Sequence, residues 1–382
     1  MTRPSLARLL GDHRAVVCVG TGGVGKTTLA AALGLAAAMA GRRAMVLTID
    51  PAQQLARALG LSALRREGEP VPEAALADAG ITLRGSLSAG MLDQKTAWDA
   101  FIARQAPSPK VRDTLLDNAF YRELSTSLAG SHDYMAIEEL CRLDESGDYD
   151  LIVVDTPPAQ AAIDFIRAPD RMQELLDPRV AGLLARSFGD GSGRWGGLSS
   201  LIPLVLFRLE RAFGTRALRE IAAFFVALEA VFGDVAARAA RARHLLRSDT
   251  TAFVLVTGPS ERVLAGGDAL AGTMRALGVP LRATIVNRVH PAPELGEHGD
   301  TFVDPLLAEL AAAGVGPDTC TWLRQTWQEA RAQAIAEAAR LAPVAASQPG
   351  DAAWVEVPEL EHDAHRIADL LTLAKRMGAI AD

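Results

Sequence analysis

Cysteine is scarce in this chain. Its 382 residues hold 3, Cys18, Cys141 and Cys320, too far apart in sequence to indicate a disulfide framework or a paired-thiolate zinc site. That usage fits a reducing, cytoplasmic setting. Lysine is rarer still for its class, 4 of the 39 basic residues, a bias that reads as coding composition rather than function. No uncharged apolar run reaches the roughly eighteen residues of a membrane span, and Met1 to Asp12 lacks the apolar stretch and cleavage site of a secretory signal. The expectation is a protein neither exported nor integral, with association at a membrane surface left open. A net charge of −7 argues against general affinity for nucleic acid, and no nucleic-acid module is recognisable.

Hydrophobic residues make up 49% of the chain, ample for a sizeable core. The most informative stretch is Gly20-Thr21-Gly22-Gly23-Val24-Gly25-Lys26-Thr27-Thr28. It follows an apolar run, Ala15 to Val19, suited to a buried parallel strand, and opens a helix-forming run at Leu29 to Leu33. Gly20 and Gly25 frame a G-x-x-x-x-G-K-T loop whose amides must curl around phosphate oxygens with no Cβ in the way. Lys26 is expected on the β- and γ-phosphates and Thr27 on Mg²⁺, with the following helix N-terminus adding free amides and partial positive charge. The alternative, a glycine-rich turn with a chance lysine, does not account for strand and helix on either side.

The remaining apolar runs predict strands at 43–49, near 81–87, at 149–154, 252–257, 282–287 and 353–357. Helical periods lie between them, and residues 65–80 read as a loop. This is the alternation of an α/β fold with a mostly parallel sheet flanked by helices. The nucleotide core falls at about 12–90, 140–165 and 248–382. A helical subdomain is inserted at about 91–139 and 166–247, and Gly189 to Gly197 is its most glycine-rich tract. Three strands end in polar signatures, at Gly20, at Asp50-Pro51-Ala52 and at Asp155-Thr156-Pro157-Pro158, and such ends converge on one crevice. Asp155 is placed to hold Mg²⁺ through water or to cap a turn. Asp50 is placed to orient the attacking water beside the metal or to cap the helix at Gln53-Gln54-Leu55.

Those motifs, followed by Val286-Asn287-Arg288-Val289-His290-Pro291, resemble the ArsA family of ATPases from about Ala15 to Leu371. The resemblance implies a P-loop NTPase that binds and hydrolyses ATP with Mg²⁺ as a dimer, with a second copy or a related ATPase subunit. It implies that Gly22 to Thr28 hold the phosphates and that Asp50 is the catalytic aspartate of a first switch. Asp155 would begin a second switch, Thr27, Asp50 and Asp155 would form the metal set, Asn287 would read adenine, and Val357-Pro358 would close on the base. Without the resemblance, Asn287 reads equally as a turn residue and Pro358 as a strand stop. The second loop position, usually a lysine reaching into the partner subunit in this family, is Thr21, so charge from there is absent. The family's zinc-binding Cys-x-x-Cys and the arsenite-binding cysteines are also missing, which argues against arsenite pumping.

Leu218, Ile221, Phe225, Leu228 and Phe232 form one apolar stripe at helical spacing, and Leu198, Leu201, Val205, Leu209 and Phe213 another. They read either as core or as a groove for a hydrophobic client or membrane-protein segment. With only Met172 between Ala159 and Arg247, such a groove is poor in the adaptable residue. Residues 208–247 carry 8 arginines against 4 acidic residues, so a basic face toward a membrane or acidic partner is the other reading. A client-binding ATPase and a regulatory or scaffold ATPase that controls a partner subunit are therefore the two functions to separate.

Overall fold

The computed structural model describes residues 4–49, 54–119, 121, 122, 125, 131–175, 224, 227, 231, 235–291 and 303–380. Their apolar runs form strands β1 (Ala15–Gly20), β2 (Arg43–Thr48), β3 (Glu69–Pro70), β4 (Ser86–Met91), β5 (Leu151–Asp155), β6 (Thr251–Thr257), β7 (Leu281–Val289) and β8 (Ala353–Pro358). These lie in one sheet in the order β3-β4-β2-β5-β1-β6-β7-β8, parallel throughout except where β3 meets β4. From β1 the chain proceeds toward β2 on one side, and from β6 toward β7 and β8 on the other. The carboxyl end of β1 is therefore the switch point at which α/β sheets open a ligand crevice.

Helices cover both faces, as strands without a polar side require. Along β1, Val16 and Cys18 point into one apolar cluster and Ala15, Val17 and Val19 into the other. The first face is covered by α1 (Leu6–Asp12), α2 (Lys26–Met39), α3 (Gln54–Ala58), α4 (Glu73–Asp78) and, from the far end of the chain, residues of the helix Ile367–Arg376. The second face is covered by α5 (Gln94–Gln105), α6 (Pro109–Leu116), α7 (Ser131–Ser146), α8 (Ala159–Leu175), α9 (Val235–Arg247) and α10 (Glu261–Ala276). Helices α11 (Val303–Ala312), α12 (Pro317–Ser347) and α13 (Ile367–Arg376) complete the chain's order. Among the described residues, Trp98, Phe101 and Phe224 of the helical segments share one apolar cluster with the sheet.

The strand expected near 81–87 forms later, at Ser86–Met91. Gly85 explains the offset, because a Cβ there would sit 2.1 Å from the carbonyl oxygen of Arg42, so the chain crosses at Gly85 before pairing. The stretch 65–80, read as a loop, holds β3, an edge pairing that tolerates Pro70, and α4, started by Pro72 and Glu73. The helix expected at 321–341 runs from Pro317 to Ser347, with proline at its first turn and Pro343 inside its last. Both apolar stripes of the insertion and its glycine tract lie outside the described residues. Phe224, Ala227 and Val231, which belong to neither stripe, are buried in the second cluster.

The α7–α8 contact carries a titration signature. Burial pushes the Asp133 carboxyl up to about 6, with the charge of Asp164 adding to it and Arg171 opposing. A raised carboxyl favours the fold while protonated, so its contribution is present below about pH 4 and lost as pH rises through about 6. Asp133→Asn is therefore expected to stabilise the protein by about 1 kcal/mol at pH 7.5 and by nothing at pH 4. Thermal melts at the two pH values check this, and equal shifts at both would refute the buried-charge explanation.

Candidate functional site

The loop after β1 is shaped by two glycines with left-handed backbone, Gly23 at φ 75° and Gly25 at φ 89°. Gly25 is required twice over, since a Cβ there would stand 2.5 Å from Nδ2 of Asn287. It caps α2, so the amides of Lys26, Thr27 and Thr28 open the helix with no intrahelical partners and point toward the crevice. The Lys26 ammonium donates to the carbonyl of Thr21 at 2.9 Å, lying across its own loop. Lys26 is 8% exposed, so the charge is held near the loop and not spent on bulk solvent.

Asp155 sits at the end of β5, between β1 and β2, and is 1% exposed. Its Oδ2 accepts from the Thr27 hydroxyl at 2.7 Å and from the Thr48 hydroxyl at 3.1 Å. The Asp155 carbonyl accepts from Ile49 N at 3.1 Å. One residue thus fastens the phosphate loop to the exit of β2. Thr156 adds a second fastening, its hydroxyl donating to the Cys18 carbonyl at 2.8 Å. Burial, with the charge of Asp155, pushes the Cys18 thiol far above its ordinary value, so Cys18 is packing rather than a nucleophile. Asp50 lies outside the described residues.

On the other side of β1, Asn287 at the end of β7 donates from Nδ2 to the Val24 carbonyl at 2.8 Å. Its amide holds the loop, and it also lines the crevice, a cavity of about 490 Å³ within the roughly 300–1,000 Å³ of small-molecule sites. Gly23, Lys26 and Thr27 form the floor, with Arg288 and Leu360 on the wall. Val357 pairs with Asn287 inside the sheet and is 0% exposed, and Pro358 ends the strand. The cavity wall is built by the residues after them, from Glu359 to His365. Asp369 fixes that segment, accepting from the amides of His365 and Arg366, both at 3.0 Å.

Sequence reasoning brought Gly20, Thr21, Gly22, Gly23, Val24, Gly25, Lys26, Thr27, Thr28, Asp155 and Asn287 to one end of the sheet, and there the structure places them. It missed Thr48 as a partner of Asp155, because a threonine ending a strand is ordinary and its partner lies 107 residues away. It also missed Glu337, 3% exposed, whose carboxylate accepts from His290 N at 3.0 Å. The signal there was an acid in register with the buried Ala334 and Leu341 of α12.

A phosphate loop at the switch point of a parallel sheet, with a carboxylate ending the neighbouring strand, defines a P-loop nucleotide-binding protein. Comparison with known proteins narrows the class. The profile of the anion-transporting ATPase family, ArsA, matches residues 13–186. The chain is 30% identical to an uncharacterised protein of Streptomyces coelicolor over 73% of this chain and 63% of that one. It is 28% identical to the ATPase get3 of Aspergillus terreus, over 46% of this chain and 49% of the relative. With the ATPase ARSA2 of Chlamydomonas reinhardtii it shares 27% identity over 50% of each chain. The chain thus spans about half to just under two thirds of these relatives' lengths. Residues 13–186 are thus similar to the ArsA family of ATPases. No helix among the described residues is long and apolar enough to cross a membrane.

Proposed function

We propose that the protein binds ATP with Mg²⁺, hydrolyses it slowly, and works as a dimer whose nucleotide cycle controls the helical insertion and its hold on a hydrophobic client. The observation that carries this reading is the double hydrogen bond to Asp155. One carboxylate oxygen takes both the Thr27 and the Thr48 hydroxyls, so an event at the phosphate end of the loop is felt at the exit of β2 and at α8, which begins four residues after Asp155.

The oxygen donors of Thr27 and Asp155 suit a hard divalent cation with few protein ligands, which is what Mg²⁺ takes in phosphate sites. Bound there, Mg²⁺ would neutralise charge on the transferred phosphoryl group. Lys26 supplies a compact positive charge to the same oxygens, and the amides of α2 supply fixed donors that need no rearrangement. Asp50 follows β2 and orients the attacking water, while the neutral Thr21 leaves turnover low. The client half of the proposal draws on the relative named get3 and on the apolar stripes of the insertion.

Asp155→Asn separates these roles. The amide retains hydrogen-bonding capacity but loses the charge, so nucleotide binding without Mg²⁺ should persist while Mg²⁺-dependent hydrolysis falls about 100-fold, equivalent to ~3 kcal/mol. Phosphate release against nucleotide binding is the measurement. Undiminished hydrolysis would remove Asp155 from the site, and a purified ATP-state protein that captures neither an apolar peptide nor a second subunit would defeat the client and dimer reading.

A further inference from the structure

Arg288 is the one non-glycine residue with positive φ among the described residues, at 61°. Long side chains avoid that region, and it persists only where the surroundings dictate it. Here they do. The register of β7 against β8 shifts between Asn287 and Val289, a bulge, and bulges re-aim the side chain they carry. Ahead of the bulge Asn287 is tied to the Val24 carbonyl. Behind it both Oε atoms of buried Glu337 hold His290, one on the backbone amide at 3.0 Å and one on Nδ1 at 2.9 Å. The Val289 carbonyl accepts from Glu359 N at 3.0 Å, so the cavity wall is fastened to the same bulge.

The strain has no return in what the guanidinium touches. Its Nη1 lies 3.4 Å from the Gly23 carbonyl and its Nη2 3.9 Å from Asp363, the latter an ion pair whose partners are 52% and 76% exposed and which contributes little. What the bulge achieves is position: a half-exposed guanidinium lining the cavity beside the Gly23 carbonyl of the phosphate loop. Thr21 cannot contribute there, being uncharged and turned so that its methyl would meet a Cβ at Gly266 on α10 at 3.1 Å. A guanidinium, unlike either contact it makes now, matches phosphate oxygens two at a time.

We infer that Arg288 is a nucleotide-binding residue that engages the polyphosphate from within the same subunit, and that its left-handed backbone is maintained for that contact. The inference rests on the ATP-binding reading above. Arg288→Gly tests it, because glycine adopts this backbone freely while the cation is lost. Titrations of ATP and of inorganic tripolyphosphate, with Mg²⁺, should both weaken at least tenfold, with a shallower salt dependence, while the melting temperature without ligand stays equal to the parent's or rises. Arg288→Lys, a point charge on the strained backbone, should restore affinity only in part. Unchanged affinity for both probes overturns the inference, as does a loss confined to ATP, which would mean contact with the base. A fall in melting temperature alongside the loss would make Arg288 structural. If the parent protein binds neither probe, and Lys26→Ala is indistinguishable from it, the nucleotide reading itself fails.

Discussion

Lys26→Ala is expected to weaken ATP binding by about 100-fold or more while costing the apo protein only about 1 kcal/mol. The two halves have separate causes. An ammonium on phosphate makes charge-assisted hydrogen bonds of about 1.5–3 kcal/mol each, and losing two corresponds to roughly 10²–10⁴ in affinity. In the apo protein the same ammonium sits in the first turn of α2, at the positive end of the helix dipole, with the Thr21 carbonyl accepting from it. Its removal loses that hydrogen bond, at a cost of about 1 kcal/mol, partly offset by relief of an unfavourable charge–dipole interaction on the order of a few tenths of a kcal/mol. Calorimetric titration and a ligand-free melt decide the matter. Retained affinity would mean that the ligand does not lie in this loop.

Gly20→Ala should act on the fold before it acts on the ligand. A Cβ at Gly20 would stand 2.1 Å from the Val256 carbonyl oxygen and 3.0 Å from its carbon, and neither atom can move without parting β1 from β6 at the centre of the sheet. Overpacking against backbone is expected to cost about 3 kcal/mol or more. Gly272→Ala, in α10 with nothing within 4 Å of the added atom, is the matched control and should stabilise by roughly 0.5–1 kcal/mol. Denaturant midpoints for the pair check both. Two variants of equal stability would show that the close approach of β1 and β6 is not a constraint.

Much of this arrangement was legible because the signals are local. Ala15 to Gly20 and Leu151 to Asp155 are continuous apolar runs ending in a glycine or an acid, and a strand buried on both faces has no other way to look. The glycine frame around Lys26 likewise needs nothing from elsewhere in the chain. Ser86 to Met91 was harder, since its polar and apolar residues alternate and its start is set by the contact of Gly85 with Arg42, residues far apart in sequence. The double use of Asp155 and the turn at Arg288 were beyond reach for the same reason. Thr48 is a good strand residue in any case, and nothing in Asn-Arg-Val-His indicates a left-handed arginine until Glu337 is seen holding the histidine.

The helix after the phosphate loop also constrains the order in which the protein can be made. Of the 14 residues of α2, 11 are buried, and part of the covering comes from Leu370, Leu373 and Ala374 of α13. The cavity wall from Glu359 to His365 arrives just before that helix. During synthesis the loop therefore exists long before its wall, and α2 presents an alanine- and leucine-rich surface whose cover has not been translated. Long-range closure of this kind slows folding and leaves sticky surface exposed in the meantime. A nascent chain of this protein is expected to need shielding over that interval, since the cavity is complete only once synthesis has passed β8 and the wall that follows it.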